Sequence, residues 1–309
     1  MRVVLAVSAA LLLGTAVAHA ATEYEQAFGA YQKGDYALAL KLLKPLAEKG
    51  NVNAEYNVGV MYNNALGVKT DYAEAARWFK LAVAKGNMYA EVDLGKLYES
   101  GRGVQKDYKE AVRLFQLAAV KKSPAAQLEL GSMYERGIGL PQDYKESTKW
   151  YRLSADQGDS DAQYNLALMY AGGHGVPQDI KQAVAWYKKS AEQGNSSAQL
   201  NLGALYYSGE GVPKDPKQAL RYFQLSAQQG NGHAQFNLAT LYTQGDGIPQ
   251  DLPRALIWFA AAAVNLSGNE AKIADQNSKA VAAKMTPAQL AAARQMSGKC
   301  KVGDYKACD

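Results

Sequence analysis

Residues 162–194 read AQYNLALMYAGGHGVPQDIKQAVAWYKKSAEQG, and this stretch decides the fold. Ala162, Leu166, Met169 and Tyr170 follow the i, i+4, i+7, i+8 spacing of one apolar helical stripe. Gly172, Gly173 and Gly175 end that helix, because glycine enters the positive-φ region without a Cβ clash. Val176 and Pro177 make a short extended link. Asp179 then stands as the N-cap of a second helix, with Gln182 where a capping-box partner belongs. Ala183, Trp186, Tyr187 and Ala191 mark the apolar face of that helix, and Gly194 closes it. The unit is helix–turn–helix. No segment alternates with period two, so strands are not expected.

The same unit recurs every 36 residues. Ala54, Ala90, Ala126, Ala162, Ala198 and Ala234 fall one period apart, and Tyr62, Tyr98, Tyr134, Tyr170, Tyr206 and Tyr242 follow eight residues later. Gly67, Gly103, Gly139, Gly175, Gly211 and Gly247 keep the same phase, as do Asp71, Asp107, Asp143, Asp179, Asp215 and Asp251. Such a unit cannot bury its apolar face alone, so copies stack. The capping device repeats as Asp71/Glu74, Asp107/Glu110, Asp143/Glu146 and Asp215/Gln218, whereas Arg254 leaves the last box incomplete. Lys122-Ser123-Pro124 replaces the closing glycine of its repeat, where an altered repeat angle is expected. The expected fold is all-α, a right-handed solenoid of stacked helix pairs with helical caps.

Four segments are expected: 1–20 as an export signal, 21–53 as an N-terminal capping hairpin, 54–265 as six repeats, and 266–309 as a helical cap with a short tail. Arg2, the apolar run from Val3 to Val17, and Ala18-His19-Ala20 make the signal pattern, with cleavage after Ala20. The expected location is periplasmic or secreted, with no stable membrane span, since about fifteen apolar residues are too few to cross a bilayer. The hairpin turn Lys33-Gly34-Asp35 resembles that of a tetratricopeptide repeat. Glu270 to Lys284 and Thr286 to Met296 read as terminal helices, the second capped by Thr286-Pro287. The only cysteines of the 309 residues, Cys300 and Cys308, suggest a disulfide closing a small terminal loop. A metal site there lacks nearby histidine and two further ligands. Because the pair lies outside the repeats, its reduction is expected to leave the melting of the solenoid almost unchanged.

The pattern Ala-x-x-x-Leu-Gly-x-x-Tyr-x-x-Gly-x-Gly-Val-Pro-x-Asp…Ala-x-x-Trp-Tyr-x-x-Ala-Ala-x-x-Gly resembles the Sel1-like repeat family, relatives of tetratricopeptide repeats. The resemblance covers residues 54–265, with Ala65 replacing the first loop glycine, and Ala167 and Ala239 the helix glycine. It implies a scaffold or adaptor, of a kind often bacterial and exported, that holds signalling, envelope or secretion partners together. A cysteine-rich branch of the family is associated with β-lactam hydrolysis, but the repeats here contain no Cys and no serine has lysine three residues later.

Other chemistry finds little support. His174 and His233 lie in different repeats at non-equivalent positions and read as surface or packing residues. The loops Gly172-Gly173-His174-Gly175 and Gly209-Glu210-Gly211 join two helices, whereas nucleotide-binding glycines follow a strand. No catalytic residue, metal or cofactor is expected. The net charge of +5 comes from scattered Lys and Arg, which does not argue for nucleic acid.

Recognition is expected on the concave face lined by the first helix of each repeat. Asn57, Asp93, Glu129, Asn165, Asn201 and Asn237 form a polar row, one per repeat, with Tyr207 and Leu168 adding apolar contact. Asn both donates to and accepts from a peptide backbone. A second reading of the row is equally open, that these side chains bond to a neighbouring turn. The functional expectation is an exported protein-interaction scaffold binding a peptide or protein partner. The alternatives are a β-lactam-hydrolysing or other envelope enzyme, and an inhibitor or immunity partner of an envelope toxin.

Overall fold

The computed structural model describes residues 15–298 together with 300, 305 and 308, and side chains from residue 23 onward. The proposed export signal therefore falls largely outside the described residues, and helix α1, Thr15–Gln32, runs through Ala20. No strand occurs among the described residues. The chain divides into two compact units, Met1–Pro141 and Gln142–Asp309, each an all-α solenoid of paired helices.

The first unit continues from α1 with α2 (Tyr36–Glu48), α3 (Val52–Asn63), α4 (Tyr72–Ala84), α5 (Met88–Ser100), α6 (Tyr108–Val120) and α7 (Pro124–Arg136). Its core forms where the repeated alanines let helices close. Ala54 and Ala90 are fully buried, beside Val58 and Leu94. Gly59 has no Cβ, and one built there would stand 2.5 Å from the Phe79 ring. The missing methyl is what lets the aromatic of one helix press onto the backbone of its pair. Gly103, at φ +69°, does the same across repeats, where an added Cβ would meet the Tyr72 carbonyl carbon at 2.1 Å.

The second unit holds α8 (Tyr144–Asp156), α9 (Ser160–Gly172), α10 (Ile180–Glu192), α11 (Ser196–Ser208), α12 (Pro216–Ala227), α13 (Gly232–Gln244), α14 (Leu252–Asn265), α15 (Gly268–Ala283) and α16 (Pro287–Ser297). Its C-terminal core gathers Trp258, Phe259 and Leu238 with Val281 of α15 and Ala293 of α16. Thr286 and Gln289 form a reciprocal capping box at the start of α16.

Each repeated Asp caps its helix as the spacing implies; Asp143 Oδ1 accepts from the backbone N–H of Lys145 and Glu146 at 2.9 and 3.1 Å. The other half of the expected box does not form. Glu74 turns instead to Arg77, at 2.9 and 2.6 Å, and Glu110 to Arg113 in the same way. A two-pronged guanidinium three residues on outcompetes one backbone N–H. Asp179 accepts from the Gln182 N–H at 3.0 Å. Asp179→Ala is therefore expected to lose about 1 kcal/mol, read as a lowered urea midpoint with helicity retained below it.

The turn at Lys122 keeps the form of its glycine counterparts. Its φ is +66°, its N–H donates to the Ala119 carbonyl at 2.9 Å as Gly86 does to Val83, and Ser123 caps α7.

A seam between successive repeats is built from a position absent from the sequence reading. In five of the six copies the residue after the repeated alanine is buried and meets a partner thirty residues later within its own unit. In the first unit these are ion pairs, Glu55–Lys85 at 2.5 Å and Glu91–Lys121 at 2.6 Å. In the second they are amide pairs, Gln163–Gln193 and Gln199–Gln229 at 2.8 Å, and Gln235–Asn265 at 2.9 Å.

The terminal cysteines correct one expectation. Cys300 and Cys308 are bonded with Cα atoms 4.6 Å apart, and Cys308 is fully buried in the core around Trp258. Tyr305 is buried too, and its hydroxyl accepts from Asn265 Nδ2 at 2.7 Å, at the end of the amide seam. The pair is thus part of the last repeat's core. Reduction is expected to cost about 2–3 kcal/mol and to lower the thermal midpoint of the C-terminal repeats. An unchanged midpoint would return the tail to a bystander.

Candidate functional site

In the second unit the first helices α9, α11 and α13 leave three adjoining clefts that share Ala204. One, of about 460 Å³, is lined by Leu200 and Asn201 of α11, Phe236 and Asn237 of α13, and Glu270 and Ile273 of α15. A second of about 460 Å³ joins Ala171 to Asn201, Leu205 and Tyr187. A third of about 260 Å³ lies between Tyr207, Asn237 and Thr240. The floor is aliphatic and aromatic, and the amides of Asn201 and Asn237 stand within it. His233 and Glu270 pair at 3.3 Å across one mouth, both well exposed. The result is a groove with repeated amides on an apolar bed. No group of three or more metal-ligating side chains is found among the described residues.

The rest of the predicted row separates by its partners. Asn57 Nδ2 donates to the Tyr24 hydroxyl at 2.7 Å, and the Tyr56 hydroxyl donates to Asp93 at 3.1 Å. Glu129 pairs with Lys96 at 3.0 Å. Asn201 Nδ2 donates to the Tyr187 hydroxyl at 3.1 Å, and the amide also bonds Tyr164. Each of these four therefore reaches back to the preceding repeat, as the second reading of the row has it. Asn165 and Asn237 hold no side-chain hydrogen bond among the described residues.

Burial sets the protonation states of these links. It pushes Tyr187 up to about 12, so that residue accepts from Asn201 as a neutral phenol. Burial also raises the Asp93 carboxyl, against the opposing pull of the Tyr56 hydroxyl and of Lys96. Tyr207, half-buried, donates to Gln244 at 2.7 Å and so ties α11 to α13. Leu168 is half-buried on α9, outside these three clefts. His233, read as a surface or packing residue, stands at the groove mouth. Glu270 and Ile273 had no signal, because α15 lies beyond the periodic region and only tertiary packing brings it to the groove.

The Sel1 repeat model matches residues 7–51, 52–87, 89–119, 124–159, 160–195, 196–231 and 232–263, most of the chain. The chain is a Sel1-repeat protein. Its helix pairs are those of other Sel1 solenoids. A Sel1 repeat protein from Oxalobacter formigenes is 32% identical, over 78% of this chain and 96% of that one, with a TM-score of 0.71. The protective antigen c5321 of uropathogenic Escherichia coli, also of this fold, is 33% identical over 95% of this chain and 68% of its own, with a TM-score of 0.71. The immunity protein Pa5087 from Pseudomonas aeruginosa is 21% identical over 75% of this chain and 83% of that one, with a TM-score of 0.43, too distant to bear on function. No curated protein matches the chain. Sel1-repeat proteins are protein-interaction scaffolds, typically non-enzymatic, so a protein partner is implied.

Proposed function

We propose that this Sel1-repeat protein is an exported scaffold of the cell envelope that holds an extended segment of its protein partner in the groove along α9, α11 and α13. The observation that carries the reading is the set of clefts around Ala204, with Asn201 and Asn237 on an apolar floor. An extended segment offers one backbone C=O and N–H at each such amide, while its side chains enter the clefts. Asn165 and Asn237 keep both amide groups for a partner. Asn57, Asp93 and Glu129 belong to the framework of the first unit and take no part in recognition. The export reading rests on the pattern from Arg2 to Ala20 and on the cysteine pair.

Replacing Asn165, Asn201 and Asn237 together by Ala tests this. Capture of envelope partners by in-cell crosslinking is expected to fall at least about tenfold, or 1.4 kcal/mol, with helicity preserved. Capture that survives the triple substitution would remove the groove from recognition.

A further inference from the structure

Lys and Arg that look scattered in the sequence converge in the second unit on the outer face of the second helices. On α8 the i, i+4, i+8 positions are Lys145, Lys149 and Leu153; on α10 they are Lys181, Ala185 and Lys189; on α12 they are Lys217, Arg221 and Leu225. All nine are exposed, so each stripe faces solvent. Six are cations and none is a carboxylate. Glu146 pairs with Lys149 at 3.2 Å, and Lys189 lies over the Trp186 ring at 3.8 Å. Across these helices eight cations stand against three carboxylates, whereas α9, α11 and α13 carry one charged residue, Asp161. The two faces of the same repeats are therefore electrically distinct. The corresponding face of the first unit is quieter, because Glu74 and Glu110 neutralise Arg77 and Arg113.

We propose that the outer face of α8, α10 and α12 docks the protein on an anionic phospholipid surface. Side-by-side helices about 10 Å apart present their cations in a layer, which complements a plane of negative headgroups. A cation near such a surface gains from its potential and from released counterions. Leu153 and Leu225, 41% and 37% exposed, alternate with the cations as aliphatic side chains do at a membrane interface. No described helix is long and apolar enough to cross a membrane, so the contact is peripheral. The groove lies on the other helices of each repeat and stays open in this orientation.

Flotation of the full chain with vesicles of equal parts phosphatidylglycerol and phosphatidylcholine tests the inference. Binding is expected at low salt, its loss at about 0.5 M salt, and none to pure phosphatidylcholine. Lys145→Glu, Lys181→Glu and Lys217→Glu together should weaken binding at least tenfold. These positions lie in the first turn of each helix, where a carboxylate favours the fold. The same three changed to Gln should give a smaller loss in the same direction, and Leu153→Ser with Leu225→Ser should weaken binding without altering its salt dependence. Equal binding to neutral and anionic vesicles, no binding to either, or full binding by the triple Glu variant with intact helicity overturns the proposal. Retention of the face on an anionic polymer in place of vesicles overturns it equally.

Discussion

Gly175→Ala is expected to destabilise the second unit by about 3 kcal/mol or more. Two costs combine at this position. The residue holds φ at +72°, where an L side chain meets its own carbonyl, a strain of about 1–2 kcal/mol. The added Cβ also falls 2.0 Å from the Tyr144 carbonyl oxygen and 2.8 Å from the Lys145 nitrogen, in the first turn of the preceding repeat's α8. Neither atom belongs to a side chain that could rotate away, so overpacking adds about 1–3 kcal/mol. Gly158 provides the control. Its φ is +95°, yet nothing lies within 4 Å of the new Cβ, so Gly158→Ala is expected to cost only the strain. Urea midpoints of the two variants measure the difference. Equal losses would mean that the loop glycines serve the turn alone and not the contact between repeats.

Lys121→Gln is expected to cost about 3 kcal/mol, because Glu91 is 2% exposed and would keep its charge away from water without a counterion. Lys121 Nζ reaches it at 2.6 Å and also donates to the Gly86 carbonyl at 3.0 Å, so one side chain ties the charge and the preceding turn. Adding Glu91→Gln to that variant should restore most of the loss. The amide pair so created is the one the second unit already uses at Gln163–Gln193 and Gln199–Gln229. A double-mutant cycle on the unfolding free energy checks this, with a coupling of about 1–3 kcal/mol expected. Additive losses would show that the two side chains act independently.

Local periodicity made most of the fold legible. Ala162, Leu166 and Met169 are buried as their spacing implies, Asp179 caps its helix, and Thr286 starts the last one. Readings weakened where an outcome depended on competition or on distance. Glu74 had two partners within reach, and geometry near Arg77 decided between them. The seam of Glu55–Lys85 and its amide successors was written in the sequence, since acid pairs with base and amide with amide thirty residues on. Seeing it requires comparing two positions across all copies at once, which a single helical stripe does not reveal. The burial of Tyr305 and Cys308 against Trp258 follows from no period, because the tail returns to a core formed some fifty residues earlier. The polar row was found by phase, but phase alone could not distinguish Asn237, open to the groove, from Asp93, held by Tyr56.

Which face meets the protein partner is the central matter. A photoreactive amino acid placed at Ala204, exposed at the meeting of the three clefts, reports on the groove; one at Ala185, exposed on the outside of α10, reports on the opposite helices. Irradiation of cells carrying each variant, followed by separation of crosslinked proteins, measures both directly. A discrete protein adduct from Ala204, lost in the triple Asn variant, with none from Ala185, is the predicted result. Protein adducts from Ala185 with none from Ala204 would contradict it.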